Sequence, residues 1–190
     1  MTELELPEEL LDRLASDAIS EGLVDAVYSR LDSPLGDLLL VQGPRGLVRV
    51  GFAEESEPEL LAQVARVLGA RIVKAPGEMT AARDALAAYL EGSSDRLEVP
   101  VDFALVTGPF RRQVLDELQV VPRGEVVTYA ALAARAGRPA AARAAGTACA
   151  RNPVPLVVPC HRVVPGSGGV GSYAGGPERK RALLTLEGAF

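Results

Sequence analysis

The sequence predicts an α+β protein of two parts, a small antiparallel sheet followed by a mainly helical region. Three observations carry this. Strand-like apolar runs separated by Gly and Pro turns fill residues 26–52. Apolar residues at helical spacing dominate from residue 109 onward. Charge also segregates between the halves: residues 108–190 hold 11 basic and 5 acidic side chains, a net of +6, whereas residues 1–107 hold 9 and 20, a net of −11. Such asymmetry suggests two jobs, with the basic half suited to meet phosphates and the acidic half facing away.

In order along the chain, residues 7–21 read as a helix. Pro7 suits its first turn, and Leu10, Leu14, Ala18 and Leu11, Ala15, Ile19 form adjacent i, i+4 rows. Strands follow at 26–31, 37–41 and 46–52, with turns at Ser33-Pro34-Leu35-Gly36 and Gly43-Pro44-Arg45-Gly46. A helix over 58–68 presents Leu60, Leu61, Val64, Val67 and Leu68 on one face, and 71–73 is a short strand. An Ala-rich helix over 80–90 ends at Gly92, and 97–106 is an extended crossing segment. A boundary near residue 107 gives three segments: a helical extension over 1–25, a sheet domain over 26–106 and a helical domain over 107–190.

In the last segment, 109–120 is a helix with Phe110, Val114, Leu115 and Leu118 inward. Thr128 is the N-cap of a helix over 129–136 that stops at Gly137-Arg138-Pro139, and another helix runs from 139 or 140 to about 150. The pair reads as a helix-turn-helix. Its second helix, Ala140-Ala-Ala-Arg143-Ala-Ala-Gly146, is almost bare of long side chains. A helix that reads the major groove offers several polar side chains. A smooth one bearing a single arginine suits close approach to the minor groove, with Arg143 as a probe.

Chemistry concentrates at residues 152–163, Asn-Pro-Val-Pro-Leu-Val-Val-Pro-Cys-His-Arg-Val. Cys160 stands beside His161, the only histidine. Pro153, Pro155 and Pro159 fix φ and predict a stiff, extended approach to the thiol. A thiol held near an imidazole is the pattern of an activated nucleophile. Other classes are disfavoured. One His and two Cys are too few for a structural zinc site. No apolar run reaches the ~20 residues of a membrane span. The acidic start, Met-Thr-Glu-Leu-Glu-Leu-Pro-Glu-Glu, has the wrong charge for a signal peptide, so a reducing, cytoplasmic setting is expected.

The chain resembles the O6-alkylguanine-DNA alkyltransferases over residues 26–190. The segments that carry the resemblance are Ser33-Pro-Leu-Gly36, Thr107-Gly-Pro-Phe110, Gly124-Glu-Val-Val-Thr-Tyr129, Ala142-Arg143-Ala144, Asn152-Pro-Val154, Pro159-Cys-His-Arg-Val163, Tyr173 with Gly175-Gly176, and Leu186-Glu-Gly188. The resemblance implies an RNase H-like first domain and a winged-helix or helix-turn-helix-like second one. It implies direct, single-turnover repair of O6-alkylguanine in double-stranded DNA, through minor-groove contact and base flipping, and leaves activity on O4-alkylthymine open. Cys160 would accept the alkyl group, His161 would draw the thiol proton through a water, Glu187 would orient His161, and Asn152 would buttress the site. Arg143 would fill the gap left in the stack, Tyr129 would press on the target phosphate, and Thr128 and Ala142 would border the DNA. Tyr129, Val163, Tyr173 and Ala174 would line the guanine pocket, and the carbonyls of Cys160 and Val163 would select guanine. No cofactor and no metal are implied, and the protein would act as a monomer, cytoplasmic and nucleoid-associated in a prokaryote. Two rivals remain at this point. One is a non-catalytic lesion binder or helix-turn-helix regulator. The other is a cysteine hydrolase built on Cys160 and His161.

Overall fold

The computed structural model describes residues 8–190. Helix α1 (Glu8–Ser20) precedes three strands, β1 (Ala26–Leu31), β2 (Leu38–Gly43) and β3 (Gly46–Phe52). These form the expected antiparallel meander, with a register shift at Val41/Gln42 that carries β2 on to Gly43. Helix α2 (Glu57–Leu68) then leads to β4 (Ile72–Lys74), which pairs parallel to β1, so the sheet order is β3-β2-β1-β4. Pro7, expected in the first helical turn, lies outside the described residues.

Strand β2 is central because both of its faces are apolar. Leu38 and Leu40 point into one core, and Leu39 and Val41 into another against Leu60 and Val64 of α2. Two expected apolar faces are only partly buried. Val67 of α2 and Leu10 and Leu14 of α1 stand out to solvent, while Ala15 of α1 is buried. Helix α2 meets the sheet along a stripe narrower than its apolar surface.

Helix α3 (Thr80–Leu90) closes the first part, and Gly92 follows with φ of 74°, a left-handed conformation open to glycine. Residues 97–106 cross the sheet edge without becoming a strand. Pro100 and Asp102 exchange backbone hydrogen bonds with Leu47, and this is the only ladder they make.

The second part holds α4 (Pro109–Gln119), β5 (Val127–Thr128), α5 (Tyr129–Arg135), α6 (Ala142–Ala150), β6 (Val163–Val164) and α7 (Gly176–Leu186). Thr128 caps α5 by accepting from the Ala131 N–H. Gly137, with φ of 76°, turns the chain between α5 and α6. Helix α6 begins two or three residues later than the pattern suggests, because Arg138–Ala141 close a turn of their own through the Ala141 N–H. Strands β5 and β6 pair in parallel, Val127 with Val163 and Thr128 with Val164. This small ladder ties the start of the helix-turn-helix to the segment carrying Cys160.

One apolar core joins the two parts: Leu38, Leu40, Phe52, Leu86 and Tyr89 of the first pack with Val114, Leu115, Leu132, Val158 and Leu183 of the second. Arg179 of α7 fastens the same junction. It donates to the carbonyls of Leu35 and Gly175 and pairs with Glu54. The Ser33–Gly36 turn is thus read by a side chain more than 140 residues away.

Candidate active site

The segment leading to Cys160 is not extended. Pro153, Pro155 and Pro159 stiffen it as expected, but Leu156 adopts φ of 77°, and the Val158 N–H reaches back to the Val154 carbonyl. A left-handed leucine is strained by ~1–3 kcal/mol and persists only where packing fixes it. Here Val154, Leu156 and Val158 are all buried. The result is a tight, buried turn that folds Cys160 back onto Asn152. The prolines set single residues, and the tertiary core sets the direction.

Asn152 holds both ends of that turn. Its Oδ1 accepts from the Val154 N–H, and its Nδ2 donates to the Val158 carbonyl and, at 3.2 Å, to Cys160 Sγ. The thiol is 4% exposed, and burial pushes it up to about 11, against the opposing pull of the Asn152 hydrogen bond and the Lys180 charge. At neutral pH the sulfur keeps its proton. Cys149, the second thiol, is also buried and is pushed up to about 12.

His161 follows in a short 3₁₀ turn over Cys160–Arg162 and is fully buried. Its Nε2 lies 2.7 Å from Glu187 Oε1. Burial lowers the imidazole below its ordinary range, so the ring is neutral and the carboxylate takes the Nε2 proton as a hydrogen bond. That leaves Nδ1 as the lone-pair nitrogen, and it has no partner within the protein. Glu187 caps the end of α7. Burial alone would raise its carboxyl, but the bonds from His161 and Arg162 outweigh it and hold Glu187 at about 2.

Three groups around Glu187 and Cys160 escaped the sequence reading. Arg162 donates through Nε to Glu187 Oε2 at 2.9 Å, and through Nη2 to Glu187 Oε1 at 3.0 Å and the Tyr89 hydroxyl at 3.1 Å. Tyr89 of α3 donates its own proton to Glu187 Oε1 from 98 residues away. Lys180 of α7 is fully buried and donates to the carbonyls of Val163 at 2.5 Å and Ser172 at 3.3 Å. It staples β6 to the glycine-rich loop bearing Tyr173. One signal for it was available: basic residues here are 18 Arg and 2 Lys, and one of the two lysines stands at this site.

The remaining expected residues divide into two groups. Tyr173 leans edge-on against His161 at 6.2 Å and against Phe52 at 5.8 Å, and its hydroxyl is buried without a partner. Gly175 next to it must lack a side chain, because a Cβ there would meet the Phe52 ring at 2.7 Å. The Val163 carbonyl already accepts from Lys180, and the Cys160 carbonyl accepts from the Val163 N–H, so each keeps one lone pair free. Tyr129 is half-buried at the start of α5, and its hydroxyl is raised by burial and by the nearby thiols of Cys149 and Cys160. Ala174 does not sit with this cluster alone. It also borders a groove shared with Asn152 and Arg151. Ala142 begins α6, and Arg143 beside it is exposed. Arg143 therefore stands outside the buried cluster, on the helix face that α5 and the core leave open.

Among the described residues, no three His, Cys, Asp or Glu side chains gather as a metal site, and no helix is long and apolar enough to cross a membrane.

Comparison with known proteins agrees with this architecture. Residues 26–103 match the ribonuclease-like domain of 6-O-methylguanine DNA methyltransferase, and residues 109–189 match the DNA binding domain of the same family. The chain is 37% identical over 161 residues to the methylated-DNA--protein-cysteine methyltransferase of Mycobacterium tuberculosis, covering 84% of this chain and 91% of the relative. It is 40% identical over 170 residues to the human protein of that name, covering 83% and 78%. The crystal structure of Mycobacterium tuberculosis OGT in complex with DNA superimposes with a TM-score of 0.74 at 34% identity, covering 86% of this chain and 93% of that one. With both parts matched in order, and with relatives covered over most of their length, the chain belongs to the 6-O-methylguanine DNA methyltransferase family.

Proposed function

We propose that this protein repairs O6-alkylguanine in double-stranded DNA by moving the alkyl group to Cys160 Sγ, once per molecule. The observation that carries the reading is the division of labour on His161. Nε2 is committed to an ionised Glu187, and Nδ1 is left without a partner in the residue that directly follows a buried, protonated thiol. His161 takes the thiol proton, directly or through a water. The sulfur attacks the alkyl carbon, and the carbon–O6 bond breaks with its electron pair going to the guanine. The base regains one proton and leaves as guanine. A thioether remains, and no group in the site can displace it. Asn152 steers the sulfur, and Tyr173, Ala174 and the free lone pairs of the Cys160 and Val163 carbonyls surround the base.

O6 is inaccessible in a stacked duplex, so the nucleotide must rotate out, which costs a few kcal/mol. Arg143 on the smooth face of α6 enters the space left behind, approaching from the minor groove. Tyr129 presses on the target phosphate, with Thr128 and Ala142 bordering the strand. In this reading residues 107–190 carry DNA contact and chemistry, and residues 26–106 frame them. The protein works in the cytoplasm with the nucleoid, needs no cofactor and acts as a monomer. A lesion binder without chemistry would not need Cys160. A cysteine hydrolase would need a leaving route that a thioether lacks.

The direct test is intact mass after incubation with O6-methylguanine duplex. Each chain gains one methyl group, mapped to Cys160, and the reaction then stops. Repeated turnover, or methylation of Cys149, overturns the proposal.

A second prediction isolates Arg143. Arg143→Ala slows transfer from duplex DNA by ~10- to 100-fold, the size of a lost charge-assisted contact of ~1.5–3 kcal/mol. Transfer from free O6-benzylguanine, where no stack has to open, stays near wild type. Second-order rates on the two substrates decide it: equal slowing assigns Arg143 to the fold or pocket, and no slowing makes it a solvated side chain.

A further inference from the structure

A groove of ≈ 630 Å³ opens beside Asn152 and Ala174, and it is lined by four arginines and one acid. Arg49 of β3 and Arg66 of α2 come from the half of the chain that is acidic on average. Arg111 of α4 and Arg151, just past α6, come from the basic half. Glu55 is the single acid, and it is already paired with Arg49. Arg111 donates to the Arg151 carbonyl, and its guanidinium is lowered by burial and by the Arg151 charge beside it. Arg66 and Arg151 are exposed, and neither makes an ion pair among the described residues. Like charges collected in one concavity repel and focus a positive field, which an anion relieves.

The position of the groove points to its occupant. Helix α6 rises ~1.5 Å per residue, so Arg151 lies ~12 Å along the axis from Arg143. With α6 laid along the minor groove, as the DNA reading above has it, this is three to four steps at ~3.4 Å per base pair from a rotated nucleotide at Arg143. From this placement we propose that the arginine groove is a second contact surface for the DNA backbone, holding phosphates about four base pairs from the lesion and extending the contact onto β3 and α2 of the first domain. The proposal rests on the DNA reading above and adds to it a surface remote from the reacting base.

The test uses the intact chain with Arg66→Ala and Arg151→Ala together, and the matching pair of Lys substitutions. Each phosphate contact adds about 0.9 to the slope of log affinity against log salt, so the double Ala variant binds lesion duplex with a slope shallower by ~2. The Lys pair keeps the wild-type slope. Duplexes bearing single uncharged methylphosphonates then locate the contact. Wild type loses affinity at linkages about four base pairs from the lesion, and the Ala variant is indifferent there while still sensitive at the lesion. An unchanged slope overturns the proposal. So does sensitivity confined to the lesion, or a loss in the Lys pair equal to that in the Ala pair. The acidic surface of a second copy is the competing occupant; it predicts self-association of wild type that the Ala pair abolishes, with no dependence on methylphosphonate position, and that result also overturns the proposal. The slope on undamaged DNA reports the groove even if wild type takes no methyl group, so failure here and failure of the repair reading are separate results.

Discussion

Cys160→Ser abolishes alkyl transfer, by more than ~10³-fold, because a serine hydroxyl at neutral pH is a far weaker nucleophile than sulfur. The substitution keeps the shape of the side chain and a hydrogen-bond acceptor for Asn152 Nδ2, so the buried turn survives. Affinity for an O6-methylguanine duplex stays within a few-fold of wild type, since the residues proposed to meet the DNA, Arg143 and Tyr129 among them, lie on elements other than the Cys160 turn. The two measurements are intact mass after prolonged incubation and equilibrium binding to the same duplex. A methyl group gained by the Cys160→Ser chain, whether on the new hydroxyl or on Cys149, would show that the reacting atom has been misassigned.

Glu187→Gln slows transfer by ~10²–10³-fold, the scale of losing an oriented general base. A glutamine amide can donate to His161 Nε2, which favours the tautomer carrying its proton on Nδ1 and removes the acceptor from the thiol side. It also leaves Arg162 with no anion in a buried place, a loss that costs ~3–5 kcal/mol when a buried pair is broken. Binding of duplex DNA by the folded variant and the rate on free base separate chemistry from stability. A wild-type rate would make Glu187 a structural acid only. The pH dependence carries the same signature. Glu187 is held at about 2 in the fold and titrates near 4.3 when unfolded, so its contribution is complete above the unfolded value and is lost as pH falls through the folded one. His161, lowered by burial, adds a slope of the same sign below ~6.5. Wild type is therefore destabilised in two stages on acidification, and the Gln variant lacks the second. Denaturant melts between about pH 7 and pH 3 read both stages.

Local chemistry made part of this molecule legible. Gly43 and Gly46 marked a hairpin because its turn needs a residue that takes positive φ, as Gly46 does at 134°, Thr128 marked a helix start because its oxygen can accept from Ala131, and Cys160 and His161 marked the site because they are rare here and adjacent. What escaped was written across distance. Tyr89 lies in an Ala-rich helix whose pattern explains it as core, and only the assembled fold brings its hydroxyl to Glu187. Strand β4 is three residues long, and nothing within them says that β1 will accept them in parallel. The extended reading of residues 152–159 failed because proline sets φ at its own position, whereas Leu156 turns the chain under pressure from the core. The four arginines around the groove belong to four separate stretches, and no spacing in the sequence links them.

A reagent that can be used once has to keep on the shelf. Burial pushes the Cys160 thiol up to about 11, so far less of it stands as thiolate at neutral pH than the few per cent of a free cysteine. Peroxides and stray electrophiles react with the thiolate, so the resting protein offers them almost nothing to attack. In the proposed mechanism reactivity is released by a substrate that fits and brings its carbon to the sulfur, with the unpartnered His161 Nδ1 as the acceptor of the proton. The same burial that makes Cys160 look inert on paper preserves it, unspent, until a damaged base arrives.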